Sequence, residues 1–163
     1  MSYGQSEGTL PIPLVPGETA VVTLQIPCTP EYVGTARLTI LGVASRMGFS
    51  YDQVEDIRLA VGEACANAIE RSGFRDSGGA LSDLTIRSYV DASRLVVEVE
   101  DTARAASESA HALDTSRSAS EIEGMNSQEL GALLMEILVD DVSIESMPGG
   151  GTRVRLTKYA NES

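Results

Sequence analysis

Glu63 and Asn67 stand four residues apart in E-A-C-A-N, inside a long run with helical apolar spacing. That spacing puts a carboxylate and a carboxamide on one helix face, one turn apart. A carboxylate there can act as a general base, and a carboxamide oxygen can face a metal ion on the same ligand. Small residues, Ala60 and Ala66, flank the pair and leave space for such a ligand. The spacing alone equally describes a solvated helix face with two ordinary polar residues.

The element that carries the pair is well marked. Ser50-Tyr51-Asp52-Gln53 is a capping box, and Phe49 with Val54 forms the matching hydrophobic staple. Val54, Ile57, Val61, Ala64, Cys65 and Ala68 form one apolar stripe, with Glu63 and Asn67 nearly opposite it. An earlier helix is expected from Thr29-Pro30, with Val33, Ala36, Ile40, Val43 and Met47 inward and Gly48 as its stop. A third is expected over 127–139, with Leu130, Leu133, Leu134, Ile137 and Leu138 inward. Strands are expected at 19–26, 84–90, 95–100, 142–147 and 152–159, the last two joined through Pro148-Gly149-Gly150-Gly151. Helices placed between groups of hairpin-linked strands imply an α+β, two-layer sandwich with a mixed, mostly antiparallel sheet and helices on one face.

The chain of 163 residues is long enough for one core, taken as residues 18–163 behind a Gly-, Ser- and Pro-rich tail at 1–17. Residues 102–126 turn to Ala, Ser and Glu with weak periodicity, which implies a lid-like loop. The lone His111 within it is expected to face solvent. A formal charge of −12 repels phosphate backbones, and the absence of tryptophan with 4% aromatics removes stacking platforms, so nucleic-acid binding is not expected. The acidity serves solubility or a basic protein partner. Cys28 and Cys65 lack metal-ligand spacing and read as reduced thiols. No run of about 18 apolar residues is present for a membrane span, and no signal-like segment opens the chain, so a cytoplasmic location is expected.

Several blocks taken together resemble the anti-sigma-factor serine kinases of the RsbW type, a branch of the Bergerat-fold (GHKL, histidine-kinase-like) ATPases. They are P-E-Y-V-G-T-A-R-L-T-I-L-G-V-A-S-R-M-G from Pro30, D-I-R-L-A-V-G-E-A-C-A-N-A from Asp56, L-G-A-L-L-M-E-I-L-V-D-D-V from Leu130, and G-G-T-R-V-R-L-T-K-Y from Gly150. The resemblance implies ATP and Mg²⁺ as cofactors. Asn67 is implied to hold the metal that bridges the phosphates, and Glu63 to accept the proton of an attacking hydroxyl. It implies that Asp101 receives the adenine amino group, that Gly131 belongs to the phosphate loop and that Thr152 lies near the base. Without it, Asp101 is an acid at a strand end and Thr152 an ordinary strand residue. The implied partners are a sigma factor and a STAS-type anti-anti-sigma antagonist, with a homodimer as the working form. Arg37 and Arg46 on the first helix are candidates for partner contacts.

The departures from the family pattern are specific. Ala103 stands where D-x-G has glycine, and Glu129 replaces the first glycine of the phosphate loop in Ser127-Gln128-Glu129-Leu130-Gly131. A carboxylate about 4 Å from a phosphate oxygen costs roughly 1–4 kcal/mol. Arg104 and Arg117 are the only cations in the 102–126 segment. After Asn67, the run Ile69-Glu70-Arg71-Ser72-Gly73 stands where relatives often carry an aromatic residue or histidine, so the rear of the pocket is expected to differ. Two functions compete. One is an ATP-dependent kinase that phosphorylates a serine of the antagonist and otherwise inhibits the sigma factor. The other is a kinase-inactive binding module with weak or no nucleotide binding; a Bergerat ATPase with an unrelated partner is a third.

Overall fold

The structure is a computed structural model that describes residues 19–72, 82–102 and 123–160. The expected tail, most of the expected lid, His111, Ala103, Arg104 and Arg117 therefore lie outside the described residues. Five strands form one sheet: β1 (Ala20–Pro27), β2 (Asp83–Val90), β3 (Arg94–Asp101), β4 (Asp141–Ser146) and β5 (Thr152–Tyr159). Their order is β1-β2-β3-β5-β4, and every neighbouring pair is antiparallel. Three helices, α1 (Val33–Ala44), α2 (Tyr51–Ser72) and α3 (Ser127–Leu138), complete the described fold.

Alternation along the strands separates two faces. Leu84, Ile86, Leu95, Val97, Val99, Val154 and Leu156 are buried on the face covered by the helices. On the register, Asp101 and Thr152 fall on that same face, at one end of the sheet. The opposite face carries an ion-pair ladder. Arg153 bridges Glu98, Glu100 and Glu145, Arg155 pairs with Glu98 at 2.7 Å, and Arg87 pairs with Glu100. Glu98 is buried beneath these arginines. Burial pushes its carboxyl up, but hydrogen bonds from Arg155 and Tyr89 and the charges of Arg155 and Arg153 outweigh that and hold it below the usual glutamate value.

The start of α2 is the capping box expected from the sequence. Gln53 N donates to Ser50 Oγ at 3.2 Å, and Ser50 N donates back to Gln53 Oε1 at 2.9 Å. The helical segment that leads into α1 opens at Thr29-Pro30 as expected, but its first turn differs in type. Thr29 makes no side-chain cap, and Pro30–Tyr32 form a single 3-10 turn before the α-helix begins at Val33. The helix ends at Ala44, and Gly48, at φ 73°, turns the chain into α2. The expected inward residues of α1, Val33, Ala36, Ile40, Val43 and Met47, are all buried.

The orientation of α3 corrects the sequence reading. Leu130, Leu134 and Ile137, expected inward, are 42%, 39% and 69% exposed, while Gly131, Ala132, Leu133 and Met135 are buried. Small residues let α3 lie close against α2, and that contact decides which side faces in. Arg37 is likewise not simply exposed. Its guanidinium lies over Gly62 of α2, where a β-carbon would sit 2.5 Å from Nε. Arg46 is exposed.

Candidate nucleotide site at the meeting of α2, α3, β3 and β5

Asn67 is only 5% exposed, so the solvated-face reading of the E-x-x-x-N step does not hold for it. It is buried because α3 crosses over it. A β-carbon on Gly131 would lie 2.6 Å from Asn67 Nδ2 and 2.9 Å from Oδ1, so a larger residue would have to push the Asn67 carboxamide aside. Asn67 Nδ2 points to the carbonyl of Gln128 at 3.5 Å. That leaves Oδ1 as the oxygen a hard cation would take. Glu63, one turn earlier on α2, is half-buried.

The first turn of α3 is tied to α2 by side chains. Gln128 Nε2 donates to the Asn67 carbonyl at 3.0 Å and to Glu70 Oε2 at 3.2 Å, and Ser127 Oγ donates to Glu70 Oε1 at 2.6 Å. Asn126 caps the helix, accepting from Glu129 N at 2.9 Å. Glu129 sits in that first turn, where an acidic side chain complements the helix dipole. Its presence thus has a local structural reason, even though it adds negative charge where phosphates would approach.

At the other end of the site, Asp101 closes β3 directly opposite Thr152 of β5, and both are buried. Gly151 precedes Thr152 with φ 87°, and a β-carbon there would lie 2.0 Å from the Asp101 carbonyl oxygen. Both its backbone conformation and this contact require glycine. The Asp101 side chain is fully covered, and Arg71 Nη2 pairs with its Oδ2 at 3.0 Å. Arg71 Nη1 also donates to Gln128 Oε1 at 3.0 Å. Behind this pair, Cys28 Sγ lies 3.5 Å from Ser72 Oγ. Burial is the main influence on both thiols, raising Cys28 and pushing Cys65 up to about 12. Both are free and buried, as unreactive core thiols should be.

The residues singled out in the sequence therefore gather at one place. Asn67 meets Gly131, Asp101 faces Thr152, and Glu63 lies on the same helix as Asn67. Three participants were not singled out as site residues: Arg71, Gln128 and Gly151. A signal for Arg71 was present, because Glu63, Asn67 and Arg71 repeat every four residues along one helix face. Gln128 has no such signature.

These residues fit a nucleotide with Mg²⁺ at the phosphate end. A buried carboxamide oxygen lies beside a helix N-terminus, which favours anions, and the close approach at Gly131 brings the two together. Among the described residues no group of three or more His, Cys, Asp or Glu could hold a metal by itself. Magnesium commonly takes one or two protein oxygens and completes its shell with phosphates and water, so a single asparagine suits it.

Comparison with known proteins agrees with this geometry. Residues 26–158 match the model of the histidine kinase-like ATPase domain family. The serine-protein kinase RsbW of Bacillus subtilis is 37% identical over 142 residues, covering 86% of each chain. The RsbW of Listeria innocua is 34% identical over 86% of this chain and 88% of its own. Among solved structures, the RsbU and RsbW domains of a Mycobacterium tuberculosis protein superpose with a TM-score of 0.61 at 16% identity, over 88% of this chain and 34% of that one. The SiaB–SiaC complex from Pseudomonas aeruginosa superposes with a TM-score of 0.51 at 10% identity, over 95% and 93%. These two structures speak for the fold. The chain belongs to the histidine kinase-like ATPase domain family, among the RsbW-type serine-protein kinases.

Proposed function

We infer that this protein is an ATP-dependent protein serine kinase that also acts as an anti-sigma factor. The observation that carries the reading is the buried Asn67 carboxamide held against Gly131 at the N-terminus of α3, with Glu63 one turn away on α2. Phosphoryl transfer needs positioning and charge neutralisation more than covalent help from the protein. Mg²⁺ bound with the nucleotide would supply that neutralisation. Asn67 offers it an oxygen, the first turn of α3 offers N–H groups to phosphate, and Glu63 accepts the proton of the attacking serine hydroxyl. Asp101 and Thr152 form the base end.

The acceptor we propose is a serine of an anti-anti-sigma antagonist of STAS type, and the second partner a sigma factor, held while the antagonist is phosphorylated. A homodimer, a cytoplasmic location and residues 18–163 as the working unit belong to the same proposal. No helix of the described residues is long and apolar enough to cross a membrane. The kinase-inactive alternative drew on Ala103, which lies outside the described residues, and on Glu129, to which the capped first turn of α3 gives a separate role. The test is transfer of label from ATP, with Mg²⁺, to a serine of the purified antagonist. Transfer lost in Glu63→Ala supports the kinase; its absence in the wild-type protein, with sigma binding intact, would leave the binding module.

A further inference from the structure

We propose that Arg71 is a latch on the base end of the site, holding Asp101 until a nucleotide displaces it. The proposal rests on the nucleotide reading above and adds to it a residue that sets affinity. The adenine-receiving carboxylate has to be reached by an N–H donor of the base, yet the Asp101 side chain has no exposed surface and Arg71 Nη2 already donates to it at 3.0 Å. The guanidinium's other arm donates to Gln128 Oε1 at 3.0 Å. Gln128 in turn donates to the Asn67 carbonyl and to Glu70. One planar fork thus joins the end of β3, the last turn of α2 and the first turn of α3.

The two partners differ in their freedom to move. Asp101 ends a central strand of the sheet, whereas Arg71 sits in the last turn of α2 and keeps 19% of its side chain exposed. Arg71 is therefore the partner that can swing out to water. Departure of Arg71 removes a charge-assisted donor from a fully covered carboxylate, and a base N–H can take its place on Oδ2, so the two events are coupled. Release of Arg71 also removes one of the bonds of Gln128, which ties the first turn of α3 to α2 through Asn67 and Glu70. Base recognition at Asp101 and adjustment of the phosphate end thus share one side chain. The cost of opening lowers the apparent affinity by the fraction of molecules in the open arrangement.

The experiment is calorimetric titration of the full chain with ATP and Mg²⁺, for the wild-type protein, Arg71→Ala and Gln128→Ala, together with their melting temperatures. Arg71→Ala is expected to lower the ATP dissociation constant by about tenfold, because the closed population no longer competes. Gln128→Ala keeps the buried pair and loosens only one arm, so a smaller gain is expected. Arg71→Ala alone should melt earlier than the wild type, while its rise in melting temperature on adding ATP grows. ATP binding seen only in the variants would also support the latch. Folded variants that bind ATP as the wild type does, or more weakly, overturn it and leave Arg71 a structural tie or a nucleotide contact. If Arg71→Ala does not fold, Gln128→Ala decides by the same criterion. No binding by any of the three proteins overturns the nucleotide reading, and the latch with it.

Discussion

At the proposed phosphate end of the site, α2 and α3 touch through a carboxamide and a glycine. At the base end, β3 and α2 are joined by a carboxylate and a guanidinium. The first contact is made by the absence of atoms: a β-carbon at position 131 would fall 2.6 Å from Asn67 Nδ2. The second is made by charge, with the Asp101 side chain wholly covered by its surroundings and paired to Arg71. Close packing has one arrangement and punishes any added volume. An ion pair with one partially exposed partner has two arrangements and can be exchanged for another donor. On the proposed reading, the phosphate end is a close-packed cradle and the base end is adjustable.

Substitutions can break or sharpen that contrast. The largest effect is expected from Glu63→Ala, which should lower phosphotransfer by about 10²–10⁴-fold, the usual worth of a positioned general base. ATP affinity should change little, because the role proposed for Glu63 is toward the acceptor hydroxyl; labelled transfer and nucleotide titration separate the two. Next comes Gly151→Ala. A β-carbon there meets the Asp101 carbonyl oxygen at 2.0 Å and the backbone lies at φ 87°. A loss of about 3 kcal/mol in denaturant unfolding is expected from the strain and the clash together. Gly131→Ala should cost about 1–3 kcal/mol through overpacking and weaken ATP binding by displacing Asn67. An unaltered titration would show that the cradle is less rigid than the contact implies.

Smaller effects come from charge. Glu129→Gln removes a negative charge beside the proposed phosphate position but keeps the Asn126 cap, and ATP affinity should rise by about threefold to tenfold. No change would mean that Glu129 serves α3 alone. On the far face of the sheet, Glu98 and Glu100 are both held below the usual glutamate value. Burial opposes this in each case and is outweighed by their arginine partners. Their folded-state values lie below the unfolded ones, so the stability they contribute is fully present above the unfolded value of about 4.3. It is lost as pH falls through the folded values. Melting temperature measured from pH 7 down to pH 3 should fall below about pH 4.5, and less steeply in Glu98→Gln.

Much of this was legible in the sequence for reasons that are local. The capping box at Ser50 and Gln53 needs four residues, and its reciprocal bonds form as expected. The strands alternate and the glycine turn sits where the chain reverses, so the order of elements and the single helix-covered face followed. Thr29 and Pro30 do open the helical segment, with Thr29 at the N-cap and Pro30 in the first turn, but that turn is 3-10 and lacks the Thr29 side-chain cap. The face of α3 was misjudged because a stripe of large apolar residues is normally the buried one. Here the small side, Gly131 and Ala132, gives the closest approach to α2 and leaves Leu130, Leu134 and Ile137 outward.

The site residues divide in the same way. Glu63, Asn67, Asp101, Gly131 and Thr152 were named from motif blocks, and the fold brings their elements together. Arg71 and Gln128 bind across elements far apart in the chain, at 3.0 Å from each other and, for Arg71, from Asp101. Nothing in local spacing reports a contact between residues 57 or 30 positions apart.

The central claim is that a buried carboxamide at the α2–α3 contact takes the metal of a bound nucleotide. The most direct measurement is ATP titration with and without Mg²⁺, on the wild-type protein and on Asn67→Ala. Binding that depends on Mg²⁺ in the wild type and loses that dependence in Asn67→Ala is the expected result. Equal Mg²⁺ dependence in both proteins, or no ATP binding by the wild type, would contradict it.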